Sequence, residues 1–201
     1  MKRILALVAF ALVFSGAQAA EPKDQLRLYP VKGWGALALR VPWDWKQKVD
    51  DDAQFPTFSL RPIKGQDFSL NILALPAKRR CRVPCDIDSL RFMAGNKARE
   101  LKPQSLEPEI KLDLLKGKEA QGYYFSVTDR APKKGEFKFL TMGYLAVGEL
   151  VVEFRILVND NQEDAVKAAL EVLAGAREVK LPPEKPAPPK AMPDKVPEKK
   201  S

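Results

Sequence analysis

The sequence predicts an α+β domain: an antiparallel β-sheet flanked by two helices, followed by a Pro/Lys-rich tail. Three observations carry this. Short segments of alternating apolar residues recur along the chain, separated by turns that contain Gly or Pro. Two longer stretches repeat their apolar residues at helical spacing instead. The turns between most of the strand-like segments are too short for the crossovers that parallel strands need, which makes the pairing antiparallel.

The chain opens with Met1, Lys2 and Arg3, then an uncharged apolar run over residues 4–14. Ser15 and Gly16 break the run, and Ala17-Gln18-Ala19 supplies the small-x-small pattern of a signal-peptidase site. The run is roughly half of the about 20 apolar residues that a membrane span needs. Residues 1–19 therefore read as a cleaved signal peptide, and the expected location is the periplasm.

Residues 20–34 read as an extended lead-in, with Leu26, Leu28 and Tyr29 at possible edge-strand positions. Residues 35–41 alternate and stop at Pro42. Trp43-Asp44-Trp45 precedes what reads as a polar, acidic loop ending in Asp50, Asp51 and Asp52. Residues 57–61 form a second strand, and Gly65 marks a turn. A third strand, with Phe68, Leu70, Ile72 and Ala74 on one face, ends at Pro76.

Asp86 is placed to cap a helix over residues 87–101 with Ile87, Leu90, Met93, Ala94, Ala98 and Leu101 on its apolar face. Four strands follow, at 110–115, 121–128, 137–147 and 150–158, with turns at Gly117, Gly135 and Gly148. A last helix is predicted over 162–174. Asp160 and Glu163 stand at capping-box spacing before it, and Gly175 stops it. The last strand is apolar on both faces, so both sides of the sheet need cover.

The expected domain is 20–176, and 177–201 is the expected tail. From Leu181 onward Pro182, Pro183, Pro186, Pro188, Pro189, Pro193 and Pro197 alternate with Lys, Glu and Ala. Such a composition cannot bury enough apolar surface to offset its ordering entropy, so disorder with polyproline II bias is expected. Its role is open between a tether within the envelope and an end without a function.

The net charge of +8 loses Lys2 and Arg3 with the signal, and the tail holds part of the remainder. The folded part is only mildly basic, and export also argues against nucleic acid as a partner. The chain contains no His. That removes Ser-His-Asp and Cys-His nucleophile arrangements and the usual His-bearing zinc sites. No catalytic residue and no cofactor is predicted.

Cys81 and Cys85 are the two cysteines. In an oxidising compartment they are expected to pair. A bridge closing so short a loop stabilises by roughly 2 kcal/mol in the chain-entropy model. The alternative is a thiol- or metal-handling pair, whose reactivity Arg79, Arg80 and Arg82 would raise. Its Cys-x-x-x-Cys spacing resembles the copper motif of Sco-type assembly factors, but those also need a distant His, which this chain lacks.

Lys78, Arg79, Arg80 and Arg82 form a basic patch, read either as a contact for acidic envelope surfaces or as a solvated loop. The acidic run 50–52 lacks the spacing of an EF-hand loop. Trp34, Trp43, Trp45, Tyr123 and Tyr124 either line a pocket or fill the core. Glu119, Asp129, Glu149 and Glu153 are scattered and single out no hydrolytic pair.

The segment 35–41 followed by Pro42-Trp43-Asp44-Trp45 resembles the strand and Pro-x-x-Trp that open PsbP-like domains. The later order, with Gly122-Tyr123-Tyr124-Phe125 in a four-stranded meander before a closing helix, is similar to the same fold. The resemblance covers about residues 26–176. It implies a mostly non-enzymatic fold, found in photosystem accessory subunits, a nuclear import factor and bacterial envelope proteins. No functional residue carries over, because the metal and chloride role of the photosystem members uses His-containing sites. The implied function is a periplasmic accessory or binding module contacting an envelope protein or complex.

N-terminal sequencing of the protein from an envelope fraction is expected to begin at Ala20. Material that begins at Met1 in the cytosol would remove the basis for export.

Overall fold

The computed structural model describes residues 24–50, 55, 57–65, 67–81 and 85–181. The expected signal peptide, Asp51, Asp52, Arg82 and the expected tail beyond Leu181 lie outside the described residues. Among the described residues no helix is long and apolar enough to cross a membrane.

The fold is α+β and built around a seven-stranded antiparallel sheet. Its strands are β3 (Trp45–Asp50), β4 (Thr57–Pro62), β5 (Ser69–Pro76), β6 (Asp113–Lys116), β7 (Ala120–Thr128), β8 (Phe139–Val147) and β9 (Leu150–Val158). Their spatial order is β3-β4-β5-β9-β8-β7-β6. A second sheet joins β1 (Asp24–Val31), β2 (Gly35–Pro42) and β10 (Arg177–Val179), with β2 in the middle. Among the described residues there are three α-helices: a single turn, α1 (Ala77–Arg80), then α2 (Ile87–Leu101) and α3 (Glu163–Ala174).

The register divides the large sheet into two faces. Leu70, Ile72, Leu145, Val152, Phe154 and Ile156 point to one side, where they meet Leu37 and Leu39 of β2 and Ala169 and Leu173 of α3. The small sheet and α3 together cover this face. Phe125, Val127, Met142, Tyr144 and Val151 point to the other, where Leu90, Ala94 and Ala98 of α2 pack. Burying a side chain such as Phe125 or Leu90 contributes about 1.5–3 kcal/mol. The buried hydroxyl of Thr141 lies 2.7 Å from that of exposed Ser126 across β7 and β8, so it is not left unpaired.

Asp86 caps α2 as predicted, its carboxylate accepting from the Ser89 backbone N–H at 2.7 Å. Several other expectations need correction. The presumed polar loop after Trp45 is strand β3. Lys46, Lys48 and Asp50 face outward along it while Trp45 and Val49 turn inward, a weak alternation that becomes a strand because β4 supplies a full set of partners. Lys-rich outer positions suit an edge strand, since charge discourages further pairing.

The Asp160/Glu163 capping box does not form. Asn161 adopts φ 60°, which inserts a left-handed turn and makes Gln162 the N-cap. Asp160 instead pairs with Lys138 at 2.8 Å. The domain also extends past 176, because β10 adds to the edge of β2. At three residues, β10 is too short to show a period of its own.

Gly122 shows why the meander tolerates no side chain there. A Cβ at this position would lie 1.9 Å from the Tyr144 carbonyl oxygen on the neighbouring strand. Gly122→Ala is expected to destabilise by about 2–3 kcal/mol through forced backbone displacement, read as a fall in urea midpoint at unchanged slope.

Candidate functional site

α2 packs chiefly on β7 and β8. Beyond β8, among the described residues, the single turn α1 covers the Pro76 end of β5 and the start of β9, and the rest of that face is open. The opening is a trough of about 480 Å³. Leu73 of β5, Leu157 of β9 and Leu140 and Met142 of β8 make an apolar floor, with Lys97 and Leu101 of α2 as one wall. A neighbouring hollow beside α2, sharing Lys97 with the trough, is lined by Arg80, Met93, Asn96 and Tyr144. Another, sharing Thr57 and Asn71, lies against Lys48 and Ser59 near the β3 edge.

Polar residues stand on this floor because the open half of the face meets water rather than a helix. Glu153 is among them. It accepts from Arg80 at 3.0 Å and from Arg155 at 3.2 Å, so a largely buried carboxylate has two cationic partners. Lys97 bonds Glu100 at 2.6 Å. The Arg80 guanidinium also lies 5.8 Å from the centre of the Tyr144 ring. Burial raises the Tyr144 phenol above its ordinary value; the Glu153 carboxylate adds to the rise, and Arg80 opposes it.

Cys81 and Cys85 form a disulfide with a Cα–Cα distance of 5.6 Å, within the ordinary range. The Cys81 N–H donates to the Ala77 carbonyl at 2.9 Å, closing α1, and Cys85 directly precedes the α2 cap. The bridge therefore ties α1, which carries Arg80, to the start of the helix that walls the trough. While bridged, the pair presents no thiolate to a metal. Among the described residues no three His, Cys, Asp or Glu side chains gather to hold a metal ion.

The other sequence-derived candidates do not converge. Lys78 lies over the Trp34 ring at 5.3 Å, and Arg79 is exposed. Arg80, also exposed, reaches back to Glu153 on the sheet. Trp45 is buried edge-on against Phe68, Trp43 is exposed, and Tyr123 and Tyr124 point to opposite faces of β7. The aromatic residues therefore line no common pocket. Glu149 pairs with Lys180 at 2.6 Å, which holds its carboxyl below the usual range. Asp129 bonds the Ala131 N–H at 2.9 Å.

The trough itself was not anticipated. One signal was available: strands 57–61 and 68–75 alternate their core residues with Thr57, Ser59, Arg61 and Asn71, which mark a face left without apolar cover.

The architecture is that of PsbP. The solution structure of cyanobacterial PsbP (CyanoP) from Synechocystis sp. PCC 6803 superposes with a TM-score of 0.52 at 10% identity, covering 83% of this chain and 99% of that one. LpqN of Mycobacterium tuberculosis, a protein involved in cell envelope biogenesis, aligns at a TM-score of 0.43 and 14% identity over 76% of this chain and 89% of its own. No family model matches the chain, and no curated protein matches it.

Tyr144 reports on the trough directly. Its phenol is expected to titrate above the usual 10.0 by ultraviolet difference spectroscopy, to rise further in Arg80→Ala and to fall in Glu153→Gln. The folded protein holds this proton more tightly than the unfolded chain. The associated stability is complete below pH 10.0 and is lost as pH rises through the folded-state value.

Proposed function

We propose that this chain is a non-catalytic binding module of the bacterial cell envelope. It works in the periplasm and receives its partner in the trough between α2 and the open half of the sheet. One observation carries the reading: a sheet face with an apolar floor and, among the described residues, no second helix to cover it, in a domain whose other face is packed. The central ionisable groups support a binding role over a catalytic one. Glu153 is engaged by Arg80 and Arg155, and a general acid or base needs a proton-transfer path that such pairing closes. The periplasmic setting rests on the signal-like segment 1–19 and agrees with the bridged cysteines.

A photo-crosslinking amino acid placed at position 73 in living cells tests this. It is expected to give a discrete adduct that the same probe at exposed Lys118 does not give. No adduct at 73 under conditions where the protein is exported and folded would sink the proposal.

A further inference from the structure

The shape and charge of the trough also bear on what fills it. This step rests on the binding-module reading above and names the partner's chemistry. The trough is wide and has no roof. A small ligand pocket ordinarily buries most of its ligand, which this surface cannot do alone. Its occupant must bring its own cover, as a macromolecule does.

The floor narrows the choice further. β5 is hydrogen-bonded to β4 and β9, and β9 to β5 and β8, so their backbone groups are already paired. An extended peptide laid across them finds no partners for its own N–H and C=O groups. A helix satisfies its backbone internally and needs only side-chain contacts.

The dimensions agree. β9, β5 and β4 span about 14 Å at the usual strand spacing, and helices pack with axes about 8–10 Å apart. A second helix therefore fits beside α2, against the ridge of Met93, Lys97 and Leu101 that α2 turns toward the opening. Those residues recur at four-residue spacing, as a helix-packing ridge requires.

Charge selects the kind of helix. Lys46, Lys48, Arg61, Arg80, Lys97 and Arg155 stand on or around this face, against Asp50, Glu100 and Glu153. Glu100 and Glu153 are engaged by Lys97, Arg80 and Arg155, three cations to two carboxylates, and Lys46, Lys48 and Arg61 on β3 and β4 add to that positive excess. We infer that the trough docks an amphipathic α-helix of a partner protein, with an apolar stripe on Leu73, Leu140 and Leu157 and acidic residues along its flanks. The Lys-rich tail of this chain has the wrong charge for the site.

Two synthetic helical peptides test this, sharing one apolar stripe and differing only in Glu or Lys flanks, titrated by fluorescence anisotropy into the mature full-length protein. The Glu-flanked peptide is expected to bind at least about tenfold more tightly than the Lys-flanked one. It should also gain helical circular dichroism on binding. In Lys97→Glu/Arg155→Glu the preference should invert, an outcome that an unfolded variant cannot produce. The milder Lys97→Ala should weaken the Glu-flanked peptide alone.

Equal binding of the two peptides, or a preference untouched by these substitutions, overturns the inference. Mass spectrometry of the adduct at position 73 separates the two claims. A lipid, a glycan or a non-helical segment there overturns the helix and leaves the binding-module reading standing. An acidic amphipathic segment supports both. The absence of any adduct ends both.

Discussion

β8 and β9 are apolar on both faces, and no single layer can bury both. That constraint organises the molecule. On one side, the small sheet and α3 bury Val152, Phe154 and Ile156. On the other, α2 buries Met142 and Tyr144. Two long helices, the single turn α1 and three strands cover one sheet. What remains uncovered is the stretch from β9 to β4, where the composition changes accordingly.

The transition is visible along β9. Val151 lies under α1 and α2 and is buried, whereas Glu153 and Arg155, two and four residues on along the same face, carry charge. The disulfide acts at this boundary. By joining α1 to the start of α2, it holds Arg80 within reach of Glu153. A bond that reads from sequence as a loop staple thus also fixes the position of a cation on the open face.

Most of the architecture was legible where local chemistry decides it. The α2 cap, the meander and the alternation of β2, β4, β5, β7 and β9 follow from turn residues and apolar period. The features that were not legible depend on distant partners. β3 has few apolar residues and exists because β4 pairs with it; β10 exists because β2 has a free edge. The trough is a property of what fails to cover the sheet, and a sequence shows coverage only indirectly, through polar residues opposite the core positions of β4 and β5. The disulfide was legible because five adjacent positions decide it. The placement of Arg80 against Glu153 was not, because the two lie far apart along the chain.

β10 has a mechanical consequence. It is a clip of three residues on the rim of the small sheet, fastened by Lys180 to Glu149 and Glu178 and by the Glu178 carboxylate to the Glu149 backbone N–H. Tension arriving from beyond Leu181 reaches this clip before it reaches the core. Three residues of backbone pairing and a few polar contacts hold it, far less than the apolar packing of the layers beneath.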